Sequence, residues 1–194
     1  RLLSSDGQKT CVFQAPTGSG KTVMVASWLE EWAKEQRARP MSFLWISTNE
    51  LHIQSKEKLE QYLADSSYTL SYIDEINTPD FGENQIVFAN WASLTRTNRQ
   101  GDWTNVAMRD GDIYKSLRSR VEATQEEGRD IVLIVDESHE TFWSAQTQQF
   151  VDDVIKPRLI VEVSATPKIG VSQQEYEAKI KAHITVPIGD VIKS

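Results

Sequence analysis

The sequence predicts a three-layer α/β domain in which a mainly parallel sheet is covered by helices on both faces. Three observations lead to this fold class. Short apolar runs alternate along the chain with helical patterns. Most of these runs are apolar throughout, as strands buried on both faces are. The polar motifs follow strands, at the edge where a parallel sheet places its binding site.

Strand and helix alternate in the first half of the chain. An apolar run at about 10–15 predicts the first strand. The helix predicted next, at about 21–36, has an apolar face that extends from Val23 to Trp32. The other elements predicted in this half are strands at about 42–47, 69–73 and 85–89, a helix at about 50–64 and a turn at 78–80.

The second half continues the same alternation after a polar stretch. Residues 95–108 predict a mobile loop. The spacing of Ile113, Leu117 and Val121 predicts a helix that is capped by Gly128. The elements predicted here are a helix at about 111–127, a strand at 131–135, a helix at about 144–155 that ends before Pro157, and strands at 159–163 and 183–186.

The composition is that of a soluble globular protein. The chain has 194 residues, of which 39% are hydrophobic and 25% are charged, enough for one sizeable α/β domain. With 28 acidic and 21 basic residues, its net charge is −7. A general basic coat for nucleic acid is therefore excluded, and any nucleic-acid contact must be a local track.

Cysteine usage and hydropathy indicate a cytoplasmic protein. The single cysteine, Cys11, excludes an internal disulfide framework and fits a reducing compartment. We expect it to be a small core residue of the first strand. No apolar run approaches the length of a membrane span, and no secretory signal is apparent, so we expect no membrane partner.

The stretch Ala15–Thr22 has the order of a phosphate-binding loop, because it follows a strand and opens a helix. Gly18 and Gly20 allow the backbone to turn its N–H groups toward an anion. Lys21 can reach the β- and γ-phosphates of ATP, and the hydroxyl of Thr22 can coordinate Mg²⁺. Ala15 stands where the motif usually begins with glycine. A glycine-rich turn that binds nothing is disfavoured by this context.

The strongest strand ends in two carboxylates, Asp136 and Glu137, followed by Ser138 and His139. A buried strand has no packing reason to carry them, because burying an unpaired charge is unfavourable. Mg²⁺-ATP is the natural partner: Asp136 would hold the metal, and Glu137 would orient and deprotonate the attacking water. The competing interpretation is an exposed acidic turn. Together with the phosphate loop, the pair predicts hydrolysis as well as binding.

Four segments carry a resemblance to superfamily 2 helicases and translocases. Asp136–His139 resembles their DExH box, and Ser164–Thr166 resembles their Ser-Ala-Thr motif. Thr48–Gln54 is similar to motif Ia, with Ser47 where proline usually stands. Asn90–Thr95 falls where a later nucleic-acid motif is expected. Their order and spacing resemble the first RecA-like lobe, a P-loop NTPase fold.

Within the superfamily, the chain most resembles the Res (helicase) subunit of type III restriction enzymes. Three features carry this resemblance: Phe13–Thr22, the Asp-Glu-Ser-His box and Ser164–Pro167. Gly189–Lys193 is similar to the segment that leads out of the first lobe in that family.

The resemblance implies a role for each matching residue. Lys21, Asp136, Glu137 and His139 are expected to be catalytic, and Thr22 and Asp136 to hold Mg²⁺. The residues expected to bind the ATP phosphates are Pro16, Thr17, Gly18, Ser19, Gly20, Lys21 and Thr22. The residues expected to contact nucleic acid or to couple it to the γ-phosphate are Thr48, Gln54, Ser93, Thr95, Ser164 and Thr166.

Backbone contacts of this kind use hydroxyls, amides and helix N-termini, so an acidic chain can still bind DNA. For Thr48 and Ser93 the competing interpretation is a helix cap. Capping and phosphate contact can share one geometry.

In the superfamily, ATP lies between two lobes, and the second lobe supplies arginine fingers. Only residues 167–194 follow Thr166, too few for a second lobe. No adenine-reading glutamine motif is recognisable before Ala15, and no nuclease motif is visible. We therefore expect residues 1–194 to be a single RecA-like lobe from a longer chain, weakly active alone.

The resemblance implies the ATP-hydrolysing motor lobe of a DNA helicase or translocase. Its expected partners are duplex DNA, a second RecA-like lobe and a modification methyltransferase subunit. The alternatives are an RNA helicase or nucleic-acid-sensing ATPase of the same superfamily, or a nucleotide-gated interaction module without turnover. The sequence leaves open DNA versus RNA, polarity, unwinding versus translocation, the recognition sequence and the oligomeric state.

Overall fold

A parallel sheet of seven strands organises the chain. The computed structural model describes residues 8–35, 40–96, 98–100, 104, 106–110, 115–137, 144–167 and 180–185. The strands are β1 (Lys9–Gln14), β2 (Met41–Ser47), β3 (Thr69–Tyr72), β4 (Gln85–Asn90), β5 (Asp130–Asp136), β6 (Leu159–Ser164) and β7 (Ile180–Thr185). They lie in the order β3-β4-β2-β5-β6-β1-β7, and every described pairing is parallel. The predicted α/β fold with a mainly parallel sheet is confirmed.

The helices lie where the strands need crossover connections. They are α1 (Lys21–Glu35), α2 (Leu51–Tyr62), α3 (Trp91–Leu94), α4 (Leu117–Glu126) and α5 (Ala145–Phe150), which continues directly into the π-helical turn Val151–Ile155. Short 3₁₀ turns occupy Ile73–Glu75 and Val106–Met108. The helix predicted at about 144–155 corresponds to α5 together with the π-helical turn. The π-helical form of that turn and the short helix α3 are not predicted by the sequence pattern. No helix in the described part of the chain is long and apolar enough to cross a membrane.

Side chains alternate along the strands and fill two separate cores. On β5, Leu133 and Val135 face one core, which α4, α5 and the π-helical turn cover. Val132 and Ile134 face the other core, to which α1 and α2 contribute Leu29 and Leu59 among others. Each fully buried side chain of this size stabilises the fold by roughly 1.5–3 kcal/mol. The sheet is thus buried on both faces, as its uniformly apolar strands predict.

The register aligns the carboxyl ends of the central strands at one edge of the sheet. Ser47 of β2 lies beside Asp136 of β5 on one side and beside Asn90 of β4 on the other. Gln14 of β1 lies beside Ser164 of β6. Five of the segments singled out in the sequence therefore emerge at this edge, as predicted: the phosphate loop, Thr48–Gln54, Asn90–Thr95, the Asp136–Glu137 pair and Ser164–Thr166.

The start predicted for α4 is wrong. The spacing of apolar residues places it at about 111, but the helix begins at Leu117, because Ser116 is its N-cap and accepts a hydrogen bond from the Ser119 amide at 3.2 Å. Asp110 accepts a hydrogen bond from the Ser116 amide at 2.9 Å and fixes the approach to the cap. Residues 111–114, which include Ile113, lie outside the described residues.

The predicted end of α4 is confirmed. Gly128 has a φ of 78°, and the next amide, that of Arg129, donates to the Thr124 carbonyl at 3.1 Å. This is the glycine-terminated ending that closes a helix with left-handed backbone. In the loop predicted at 95–108, residues 97, 101–103 and 105 lie outside the described residues.

Truncating a core residue of the central strand should destabilise the fold strongly. Ile131 is 1% exposed in β5, so Ile131→Ala should lower the free energy of unfolding by about 2–5 kcal/mol. The matched variant Ile53→Ala removes the same atoms from a side chain that is 38% exposed, and should change it by no more than about 0.5 kcal/mol. Urea denaturation followed by circular dichroism measures both. Equal losses would contradict the packing described.

Candidate functional site

The loop between β1 and α1 has the backbone of an anion-binding turn. Gly18 and Gly20 adopt φ values of 79° and 81°, which residues other than glycine rarely adopt. No atom lies within 4 Å of a Cβ built at Gly18, so conformation rather than crowding requires glycine there. Ala15 lacks the left-handed backbone, which explains why the loop accepts alanine at its first position. α1 begins at Lys21 and aims its unpaired N–H groups at the loop.

The Lys21 ammonium lies at the centre of this loop. It is 2.8 Å from a carboxylate oxygen of Glu137 and donates to the carbonyls of Ala15 and Pro16 at 3.4 and 3.3 Å. Its side chain is only 7% exposed, so these oxygens replace its water shell. A ligand phosphate would meet the same ammonium and would compete with Glu137 for it.

Glu137 reaches the loop because the chain turns sharply after β5. Its φ is 52°, a left-handed conformation that is unfavourable by roughly 1–2 kcal/mol for a residue with a side chain. Its amide donates to the Val163 carbonyl at 2.8 Å, which holds the turn against β6. Non-glycine residues in this conformation cluster at functional sites.

Asp136, the last residue of β5, is buried beside this ion pair. It is 6% exposed, and one of its oxygens, Oδ2, accepts hydrogen bonds from Ser55 Oγ at 2.8 Å and Trp45 Nε1 at 3.2 Å. Burial raises the pKa of Asp136 above its ordinary value, while the Ser55 hydrogen bond opposes the rise. Both of these hydrogen bonds end on Oδ2. This donor set fits a carboxylate that presents Oδ1 to a cation.

The other predicted phosphate-binding residues line the same loop. Thr17 is exposed, whereas Pro16, Ser19 and Thr22 are half-buried. Among the described residues, none gives the buried Ser19 hydroxyl a hydrogen-bond partner. An unpaired buried hydroxyl is unfavourable, so a polar ligand in the loop would relieve it.

The Ser-Ala-Thr segment is fastened to the phosphate loop. The Ser164 carbonyl accepts a hydrogen bond from the Ala15 amide at 3.2 Å, and Ser164 Oγ accepts one from the Thr166 amide at 3.1 Å. Gln14 Nε2 donates to the Ala165 carbonyl at 3.2 Å. Ser164 is buried and Thr166 exposed, so only the threonine presents its side chain to solvent.

Thr48 and Gln54 lie at the start of α2, next to the end of β2. α2 begins after Glu50, which makes no side-chain cap. The Thr48 hydroxyl is buried, and no residue in the described ranges bonds to it. Capping of α2 therefore does not explain the presence of Thr48. Gln54 lies on the first turns of the helix with its side chain exposed.

Ser93 is not a helix cap either. Asn90 is the N-cap of α3, because its side-chain oxygen accepts hydrogen bonds from the amides of Ala92 and Ser93 at 2.9 and 3.4 Å. Ser93 lies inside this helix with an exposed side chain. Thr95 follows the helix, and its hydroxyl donates to the Trp91 carbonyl at 2.9 Å.

A cavity of about 400 Å³ separates the start of α2 from α3. Its walls include His52, Tyr72, Asp74 and Ser93. The rings of His52 and Tyr72 meet edge to face, with centroids 6.0 Å apart. Burial lowers the pKa of His52, while Glu50 and then Asp74 oppose the shift. Of the residues predicted to contact nucleic acid, Ser93 lines this cavity.

Sequence reasoning missed Trp45 and Ser55, which contact Asp136. Trp45 belongs to a continuous apolar run, and Ser55 lies in a polar stretch of α2, so no motif marks either one. Parallel pairing of β2 with β5 brings Trp45 near Asp136, and the packing of α2 on the sheet brings Ser55 there. His139 and the segment Gly189–Lys193 lie outside the described residues.

The chain matches a family model described as Type III restriction enzyme, res subunit, over residues 2–169. This span contains the phosphate loop, the carboxylates after β5 and the Ser-Ala-Thr segment. The match confirms the resemblance to the first lobe of superfamily 2 helicases, and the parallel α/β sheet agrees with its RecA-like P-loop fold. No curated protein is a significant match to this chain.

Neutralising Asp136 should stabilise the fold. The native state binds the Asp136 proton more tightly than the unfolded chain does, so stability from this group falls as the pH rises from the ordinary aspartate pKa toward the raised one. Asp136→Asn removes that loss and should raise the free energy of unfolding near neutral pH by about 0.5–2 kcal/mol. The gain should shrink as the pH falls from the raised pKa toward the ordinary one and should be absent below it.

Denaturant unfolding at several pH values measures this gain. The control Asp65→Asn changes an exposed aspartate in the turn after α2 and should alter stability by no more than about 0.5 kcal/mol. A destabilised Asp136→Asn variant at neutral pH would contradict the prediction.

Proposed function

Because the chain belongs to the family of the type III restriction enzyme res subunit, we propose that it is the ATP-hydrolysing motor lobe of a DNA translocase or helicase. The observation that carries the proposal is the 2.8 Å contact between Lys21 of the glycine loop and Glu137 after β5. It brings together a phosphate-binding ammonium and a carboxylate that can activate water.

In this proposal the loop holds the phosphates of ATP. Backbone N–H groups around Gly18 and Gly20 face the anion, and Lys21 exchanges its Glu137 partner for the terminal phosphates. Thr22 and Asp136 would hold Mg²⁺, which commonly takes only one or two protein oxygens beside phosphates and water. When bound, the metal neutralises charge that develops on the phosphate oxygens.

Glu137 acts as the general base. Once a phosphate takes over Lys21, the Glu137 carboxylate is released beside the bound nucleotide. A water in hydrogen-bond reach then gives its proton to Glu137 as its oxygen bonds to the γ-phosphorus. The bond from that phosphorus to the β–γ bridging oxygen breaks, and ADP leaves with the bridging oxygen. Thr166 and His139 would sense the γ-phosphate. For Thr166 this role is supported by the hydrogen bond that its amide donates to Ser164 Oγ beside the loop.

The nucleic-acid track in this proposal crosses the ends of β2 and β4. These strands are neighbours, and Ser47 pairs with Asn90, so Thr48 and Gln54 share an edge with Ser93 and Thr95. Their hydroxyl and amide groups suit phosphate and sugar contacts. The Thr48 hydroxyl, which has no hydrogen-bond partner among the residues that the structure describes, supports a polar ligand at this place.

The proposal extends to partners and location. A second RecA-like lobe would complete the ATP site, and duplex DNA and a modification methyltransferase subunit would be its further partners, as the family implies. Cys11 is a free cysteine buried in β1, which supports a reducing, cytoplasmic setting.

The proposal predicts ATP turnover that duplex DNA stimulates. In the full-length protein, Lys21→Ala should lower kcat/KM for ATP by about 100-fold or more, because it removes a charge that faces the transferred phosphate. Glu137→Gln should lower kcat by about 100-fold or more, since the amide cannot accept the proton of water. Phosphate release is measured with duplex DNA, single-stranded DNA and RNA.

Lys34→Ala is the matched control, because it removes an exposed lysine from the same helix. It should leave turnover unchanged. Stimulation by RNA alone would move the protein to the RNA-dependent class. Tight ATP binding without turnover under any condition would replace the motor with a nucleotide-gated module.

Gln54→Ala should weaken DNA binding more than Gln61→Ala, although both remove an exposed glutamine from α2. Loss of one backbone hydrogen bond should lower affinity about 3–10-fold. The slope of affinity against salt should not change, because glutamine neutralises no phosphate. Fluorescence anisotropy with a labelled duplex measures both quantities, and equal effects of the two variants would place the track elsewhere.

A further inference from the structure

The predicted metal carboxylate is held by two donors that no motif includes. Ser55 Oγ and Trp45 Nε1 both donate to Oδ2 of Asp136, at 2.8 and 3.2 Å. All three side chains are buried. Hydrogen bonds to a buried carboxylate are charge-assisted and directional, so two of them restrict how the carboxylate can rotate.

The two donors differ in what holds them. Trp45 belongs to β2, pairs with Ile134 of β5 and stacks on Phe88 of β4 with centroids 5.6 Å apart. It is therefore part of the rigid sheet. Ser55 belongs to α2, which packs on one face of the sheet through Leu59 and is not part of the strand pairing.

α2 also carries the groups proposed to contact nucleic acid. Gln54 precedes Ser55 in the chain, and Thr48 lies just before the helix. Adjacent helical residues point about 100° apart, so Gln54 is exposed while Ser55 is buried against Asp136. At these two consecutive positions, α2 thus carries one residue of the proposed nucleic-acid track and one residue that is hydrogen-bonded to the carboxylate.

We propose that Ser55 and Trp45 are positioning residues for Asp136, and that Ser55 links nucleic-acid binding on α2 to the Mg²⁺-nucleotide site. The two donors fix Oδ2, so Oδ1 is presented to the cation. A displacement of α2 by nucleic acid lengthens or shortens the Ser55–Asp136 hydrogen bond and thereby changes how well Asp136 serves the metal. This inference rests on the proposed function.

Nucleotide binding tests the positioning role. In the full-length protein, the affinity for a fluorescent ATP analogue is measured with Mg²⁺ and with EDTA. Ser55→Ala should reduce the gain in affinity from Mg²⁺ by about 10-fold, the lower end of the effect of removing a group that orients a metal ligand. Its affinity in EDTA should equal that of the wild type. Ser55→Thr keeps the hydroxyl and should restore the gain.

Ser42→Ala is the matched control. Ser42 is also a buried serine, but it lies at the opposite end of β2 and donates to the carbonyls of Phe81 and Gly82 at 3.2 and 2.9 Å. It should lose stability without losing the Mg²⁺ effect. If Ser55→Ala does not fold, Trp45→Phe removes only the second donor and should reduce the Mg²⁺ gain in the same direction.

DNA affinity with and without Mg²⁺-nucleotide tests the link. Ser55→Ala should reduce the ratio of these affinities several-fold, whereas Gln54→Ala should weaken both alike. If Ser55→Ala keeps the wild-type Mg²⁺ effect, or if Ser42→Ala reduces that effect equally, this inference is overturned and the proposed function stands. A wild type without any Mg²⁺-dependent nucleotide binding overturns both.

Discussion

The site depends on the ion pair between Lys21 and Glu137. A buried ammonium without a partner is unfavourable by several kcal/mol, and here one carboxylate and two loop carbonyls compensate it. Meeting that requirement bends the chain after β5 into a left-handed turn at Glu137 and draws it toward the glycine loop. The amide of Glu137 and the amide of Ala15 then tie both segments to β6. The resting structure thus satisfies Lys21 in the way that a phosphate would.

The buried carboxylate of Asp136 also requires polar partners, but its partners carry no charge. Its carboxylate is as buried as Lys21, but two neutral donors satisfy it, and burial is the largest influence on its pKa. Neutral donors orient a carboxylate without cancelling its charge, so the preference for a cation is retained. The two neighbouring residues therefore differ in availability: Glu137 is held by a charge that a ligand can take over, whereas Asp136 is held by fixed dipoles.

Local patterns predict much of this molecule from its sequence. Glycine at left-handed positions, lysine at the start of α1 and continuous apolar strands each meet a requirement of the nearby backbone or sheet face. The phosphate loop and the strands themselves are therefore predictable. The start of α4 is not, because the cap formed by Ser116 competes with the apolar spacing and starts the helix at Leu117. The role of Trp45 and Ser55 cannot be predicted, for another reason. It depends on which strand lies beside β5 and on how α2 packs there, and a single sequence contains no direct record of either.

The strand order also decides where two binding events can influence each other. The nucleotide groups emerge from β1, β5 and β6, whereas the proposed nucleic-acid groups emerge beside β2 and β4. The only boundary between these sets in the described sheet is the β2–β5 pair, where Ser47 lies beside Asp136. The sheet itself is rigid there, packed on both faces. A signal that crosses this boundary must therefore travel through a group that lies on the sheet rather than in it, and among the described side chains that contact Asp136, Ser55 of α2 meets that condition.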